Sequence, residues 1–88
     1  MARIIDGEKM NLIGGNLRRL RKEKNMSQQA LSNRLELLGV YVCRGSVSRI
    51  EDRTRTVTDI ELFAIADVLG VGIEALFDGK TKNGASEV

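Results

Sequence analysis

Apolar residues recur at three- and four-residue spacing along residues 10–77, and polar or glycine-containing breaks divide that pattern into five helical segments. Ile13, Leu17 and Leu20 define one face of a first helix over about residues 10–24. Asn25 ends it, since asparagine tolerates the left-handed conformation that follows many helices, and Met26 supplies an apolar plug at the junction. Gly14 and Gly15 each weaken this helix by up to ~1 kcal/mol relative to Ala, which points to a close packing contact. Ser27 stands where an N-cap belongs, Leu31, Leu35 and Leu38 line one face of the second helix, and Gly39 stops it. Val40, Tyr41 and Val42 suit an extended connector. Val47 and Ile50 then give a third, short helix a narrow apolar seam, with Arg44, Gly45, Ser48 and Arg49 on its other side.

Thr58, Asp59, Ile60 and Glu61 match a capping box, in which the N-cap hydroxyl and the Glu carboxylate each accept from the other's backbone N–H. The fourth helix they open runs to about Leu69 and is apolar nearly all round, so it is expected to be buried on most sides, with the first three helices packed against it. Gly70 is its C′ residue, Val71 a following apolar contact, and residues 72–77 a short fifth helix. The fold class expected is all-α, with five helices.

Composition agrees with this pattern. The chain has 88 residues, no Pro or Trp, and only three aromatics, which favours one small helical domain burying roughly 60–65% of its unfolded surface. The domain is placed at residues 10–78. Residues 1–9 lack a helical period and contain Gly7, so they are either a flexible arm or, through Arg3, Ile4 and Ile5, a short strand at a dimer contact. Residues 79–88 are polar and expected to be disordered. A single cysteine, no secretory signal and no long apolar run point to a cytoplasmic setting.

Net charge is only +2, but residues 9–55 hold eleven Lys or Arg against four Asp or Glu, a net +7. Residues 56–79 hold five acids and no base, a net −5. The basic half suits a polyanion, which it would bind by releasing condensed counterions; the plain alternative is a set of solvated helix faces. The acidic half disfavours an anionic membrane surface.

The third helix has the right face for a DNA major groove, where an arginine can bind guanine O6 and N7 together. The following loop, with Arg53, Arg55 and several hydroxyls, suits phosphates, which position a protein without reading sequence; otherwise it is a mobile charged loop. Tyr41 either fills the turn or reaches a phosphate. Cys43 sits at an N-cap position and is read as a small, semi-buried residue rather than a redox sensor. With no His, one Cys, no phosphate-cradling glycine motif and no metal-ligand cluster, the chain is read as neither an enzyme nor a cofactor protein.

These residues together resemble a known family. The run from Asn16 through Lys24, the helix start Met26, Ser27, Gln28, Gln29, Ala30 and Leu31, the block from Val47 to Glu51, and the late stretch from Leu62 to Val71 followed by Ile73 to Phe77 are similar to the phage-repressor (Cro and lambda-repressor) helix-turn-helix domain, the XRE family. The resemblance implies that the second motif helix lies in the major groove while the first crosses the backbone, a geometry that belongs to the family and not to any spacing in this sequence. It implies base-edge contacts for Arg44, Gly45 and Arg49, flanked by Ser46 and Ser48. It implies phosphate contacts for Ser27 and Gln28, with Gln28 also buttressing the recognition helix, and for Arg53, Arg55 and Thr56. It further implies a structural ion pair between Arg21 and Glu51. The sequence departs from the usual pattern by about five extra residues around positions 36–42, as in longer-turn members, and by Gly45, which offers no side chain to a base.

The function expected is that of a sequence-specific double-stranded DNA-binding regulator, a repressor acting as a homodimer on an inverted repeat. The dimer contact is placed at Ile73, Leu76 and Phe77, because the fifth helix is short, apolar and distal to the reading helix; those residues otherwise complete the core. Alternatives are an antitoxin or restriction-modification controller of the same fold, or a protein-interaction module without its own DNA specificity.

Overall fold

The structure, a computed structural model, describes residues 8–77. Most of the N-terminal arm and the C-terminal tail lie outside the described residues. The order of elements is α1 (Gly14–Glu23), α2 (Gln28–Leu37), α3 (Arg44–Glu51), α4 (Asp59–Leu69) and a 3-10 turn (Ile73–Leu76). The described residues thus form four α-helices rather than the five expected. Between Gly72 and Phe77 there is room only for three-residue hydrogen bonds, Ala75 N–H to the Gly72 carbonyl and Phe77 N–H to that of Glu74.

The helix ends follow from local chemistry. The Ser27 hydroxyl accepts from Ala30 N–H at 2.9 Å, and Thr58 and Glu61 form the expected capping box at the start of α4. Asn25, Gly39 and Gly70 adopt left-handed φ values of 56°, 83° and 69°, closing α1, α2 and α4 in turn. α1, by contrast, begins later than its apolar period suggests. The Asn11 carboxamide oxygen accepts from Ile13 N–H at 3.0 Å and Gly14 N–H at 2.8 Å, so a side-chain turn replaces the first helical turn.

Leu17, Leu31, Leu35, Val47, Ile50, Ile65, Leu69 and Leu76 are the largest fully buried side chains and make one core. Burying each stabilises the fold by roughly 1.5–3 kcal/mol. α2 is central to it, packing against both α3 and α4, while α1 packs against α3 and the 3-10 turn. α4 is less buried than expected of an element apolar nearly all round. Ala64, Ile65, Ala66 and Leu69 face the core, but Ile60 and Phe63 remain 67% and 66% exposed. Among the described residues, α4 has substantial contacts only with α2 and the 3-10 turn, so no described helix lies against its outer side. Leu38 likewise falls off the buried face, since α2 has already ended.

Of the two adjacent glycines, Gly14 is the one the packing requires. A Cβ there would collide with the Ile50 carbonyl and lie 2.9 Å from that of Glu51, so its absence lets α1 touch the end of α3. Gly15 has nothing within 4 Å of its would-be Cβ.

Candidate nucleic-acid interface

α3 presents the two sides its sequence anticipates. Val47, Ile50 and Glu51 are buried, whereas Arg44 and Arg49 are exposed and Gly45, Ser46 and Ser48 are half-buried at the boundary. Arg49 donates to the Ser46 hydroxyl at 3.2 Å and forms no pair with Asp52 or Asp67, so its guanidinium is lightly tethered and still open to solvent. A Cβ on Gly45 would meet only the end of Arg49, at 3.6 Å, so this residue leaves open surface beside the arginine.

Cys43 is the N-cap residue of α3, but its sulfur bonds the Ser46 hydroxyl at 3.5 Å rather than a backbone N–H. It is exposed, not semi-buried. Its contact with Ser46 is the largest cause holding its thiol below the ordinary value, with Arg49 adding a smaller effect of the same sign. Beside it, an open groove of about 610 Å³ separates α2 from the start of α3, lined among others by Gln29, Asn33, Tyr41 and Arg44. Tyr41 is 77% exposed, so it does not fill the turn.

Behind the reading face, Arg21 reaches Glu51 through two bonds, Nε to Oε2 at 2.6 Å and Nη2 to Oε1 at 3.0 Å, and its Nη1 donates to the Met26 carbonyl at 2.7 Å. Gln28 Nε2 donates to Glu51 Oε1 at 3.1 Å. Its amide group therefore supports α3, the buttressing half of the role the resemblance implied. Ser27 is exposed at the start of α2, with its oxygen engaged as the helix cap.

The loop after α3 is held more firmly than a mobile charged loop. Arg53 takes a left-handed conformation at φ 64°, and its Nε donates to the Asn11 carbonyl at 2.8 Å. Asn11 is a hub that the sequence reading missed: its Nδ2 donates to the carbonyls of Ile50 and Arg55 at 3.1 and 2.8 Å. The only signal was an Asn just before the first apolar period, which reads equally as a plain helix start. Arg55 is not a free phosphate ligand. Its guanidinium grips Glu61 at 3.0 and 2.9 Å and the Thr56 carbonyl at 2.9 Å, fixing the loop to α4. This bond raises the Arg55 pKa and is the main reason the Glu61 carboxyl lies below its ordinary value, the Thr58 N–H acting in the same direction. Thr56 is exposed in the same loop.

The residues expected at a dimer contact do not form one surface. Leu76 is fully buried in the core, Phe77 is half-buried, and Ile73 is 39% exposed. The Leu76 carbonyl accepts from Asn16 Nδ2 at 2.9 Å, which ties the 3-10 turn to α1 and leaves Leu76 no part in an outside contact. Among the described residues there is no group of three or more His, Cys, Asp or Glu that could hold a metal ion. No described helix is long and apolar enough to cross a membrane.

Two helices joined across a turn, with a buried ion pair behind the second and exposed arginines in front, define a helix-turn-helix DNA-binding domain. Residues 17–76 match the family model described as helix-turn-helix, and the chain belongs to that family in its XRE form, a class of DNA-binding transcription regulators. Among solved structures it is similar to the restriction-modification controller protein C.AhdI from Aeromonas hydrophila, at 29% identity and a TM-score of 0.65, covering 74% of this chain and 87% of that one. It is similar to the DNA-binding domain of BldD at 25% identity and a TM-score of 0.65, covering 82% and 97% of the two chains. It also resembles hydroxypropylphosphonic acid epoxidase from S. wedmorenis at 26% identity and a TM-score of 0.65, covering 81% of this chain but 35% of the epoxidase. No curated protein matches the sequence.

Proposed function

We propose that this chain is a repressor that occupies an inverted-repeat operator as a homodimer, each copy reading one half-site through α3. The observation that supports it best is the pairing of opposites on an eight-residue helix: Arg44 and Arg49 project into solvent from a backbone whose other side is fixed by Val47, Ile50 and the Arg21–Glu51 pair. Such arginines are set to bind guanine edges in bidentate fashion. The loop from Asp52 to Thr56 would meet the flanking phosphates chiefly through the backbone N–H groups of Arg55 and Thr56, the Thr56 hydroxyl and the free end of Arg53, since the N–H groups of Asp52, Arg53 and Thr54 and the Thr54 hydroxyl donate to α3 carbonyls and Arg55 is committed to Glu61. One domain of this size spans one half-site, so useful affinity calls for two copies with half-sites about one helical turn apart.

Within this reading, control of a restriction-modification system is the favoured cellular role, because C.AhdI has the higher identity of the two regulators, 29% against 25% for BldD. The epoxidase likeness spans too little of that enzyme for its chemistry to be carried over.

Selection from a random duplex library, followed by titration of the winner and a scrambled control across a salt series, tests the proposal. An enriched inverted repeat bound ~10³-fold above the control is the expected result. Weak, equal binding to all duplexes that disappears at moderate salt would refute it and favour a protein-interaction module.

A further inference from the structure

The DNA-reading role of α3 makes no use of Cys43 or of the groove beside it. The thiol is exposed at the start of α3 and opens on the groove between α2 and α3, whose volume of about 610 Å³ lies in the range of small-ligand sites. Ser32 lines the same groove. It is only 8% exposed, yet its hydroxyl bonds no described group. Among the described residues no fully enclosed side-chain oxygen lacks a partner, so the little exposure Ser32 keeps includes its oxygen, which faces the groove. A hydroxyl so largely buried without a partner costs free energy, which a polar group seated in the groove would recover.

The groove also carries charge. Arg44 and Glu36 line it, and neither is paired with another described residue. Asn33 lines it too, its Oδ1 accepting from Gln29 Nε2 at 2.9 Å, which leaves its own Nδ2 to donate. A cation, an anion, an amide donor and an unpartnered hydroxyl match a short peptide with its own carboxylate and ammonium groups, and the thiol among them matches a disulfide.

We propose that Cys43 exchanges with a small peptide-like disulfide, and that the half bonded to Cys43 fills this groove and stops α3 from entering DNA. The Cys43 thiolate attacks one sulfur of the disulfide. An Sγ–S bond forms, the original S–S bond breaks, and the departing sulfur leaves with the electron pair as a thiolate, taking up the proton that Cys43 gave to solvent. The disulfide itself is the oxidant, and an excess of free thiol reverses the step. Contact with Ser46, and to a smaller extent Arg49, holds the Cys43 thiol below its ordinary value, so more of it is thiolate, the nucleophilic form. The block on DNA rests on the reading of α3 above; the exchange itself does not.

The test treats the full 88-residue chain with oxidised glutathione, and separately with neutral hydroxyethyl disulfide, and follows adduct formation by mass spectrometry. The folded protein is expected to react with oxidised glutathione at least ~5-fold faster than the same chain unfolded in urea, after correction for a free thiol in the same urea. Ser32→Ala should slow that reaction about threefold or more relative to hydroxyethyl disulfide while keeping the helical signal. Because glutathione places net negative charge beside Arg44, the modified chain should bind the selected duplex about tenfold or more weakly and recover on adding dithiothreitol. Cys43→Ser should bind the duplex as the untreated wild type does and ignore the disulfide. A folded chain that reacts no faster than the unfolded one overturns the site, as does Ser32→Ala slowing both disulfides equally or neither. An adduct that leaves duplex affinity unchanged overturns the block on DNA. A chain that exchanges selectively but prefers no duplex sinks the operator reading and the block with it, while upholding the exchange site.

Discussion

Replacing Arg21 by methionine should destabilise the domain severely, and the structure indicates by how much and why. The Arg21 and Glu51 side chains are 8% and 2% exposed, so the substitution would leave a carboxylate buried without its cation. Breaking one partner of such a pair costs about 3–5 kcal/mol, because the remaining charge keeps its desolvation penalty. A chain of 88 residues has a total stability of only ~4–13 kcal/mol, so Arg21→Met should lower the melting temperature by about 12 °C or more. Arg21→Met combined with Glu51→Leu should recover most of this, since an apolar pair of similar volume removes the stranded charge. It should not recover all, because Gln28 and the Met26 carbonyl each lose a partner worth about 1 kcal/mol. Urea and thermal unfolding monitored by circular dichroism would measure all three proteins. A single-variant loss below about 1 kcal/mol, or a double variant less stable than the single one, would refute the account of the pair as a buried, mutually dependent unit.

The two adjacent glycines should respond oppositely in the same assay. Gly14→Ala drives a methyl into the Ile50 carbonyl and should cost about 1–3 kcal/mol, whereas Gly15→Ala meets open space and should add up to ~1 kcal/mol. Because Glu61 is held below its ordinary pKa of 4.5 in the folded state, its contribution is present above that value and is lost as pH falls through the lower, folded one. Chemical unfolding from pH 6 to pH 3 should therefore show a decline that Glu61→Gln flattens, and parallel curves would contradict it. Arg44→Ala or Arg49→Ala should cost ~1–3 kcal/mol on the selected duplex, relax base preference and leave the melting temperature nearly unchanged. Arg55→Ala should instead lower the melting temperature, because it releases Glu61 and the loop; equal effects of the three on specificity would undo the division between reading and supporting arginines.

Features that depend on one residue and its immediate neighbours were legible in the sequence. The Ser27 cap, the Thr58 and Glu61 capping box, and the left-handed ends at Asn25, Gly39 and Gly70 all belong to this class. The Arg21–Glu51 pair spans 30 positions and was reachable only through family resemblance, since no spacing rule joins two residues so far apart. Arg55 shows the opposite failure: an arginine in a polar loop has the same sequence signature whether it waits for a phosphate or grips a carboxylate on the next helix. Similarly, the apolar residues of α4 announce burial, but how many of its sides find a neighbour depends on how many helices the chain can supply. In the four-residue 3-10 turn there is too little periodicity to tell Leu76, which points inward, from Ile73, which does not.

α3, the helix proposed to read DNA, could not hold its shape alone. Isolated helices shorter than about 12 residues are marginal in water, α3 has eight residues, and Gly45 subtracts up to ~1 kcal/mol more. Its geometry is therefore imposed from outside. The Val47 and Ile50 seam fixes its middle, Arg21 and Gln28 hold Glu51 at its end, and Asn11 grips the Ile50 carbonyl and the loop beyond. Those anchors lie on the side away from Arg44 and Arg49, so the backbone of α3 is set without any contact to DNA. In the proposed complex, the ordering cost would fall on the two exposed arginine side chains and not on the helix that carries them. A glycine can then be tolerated at the second position of α3, because the stability it removes locally is supplied from α1 and α2.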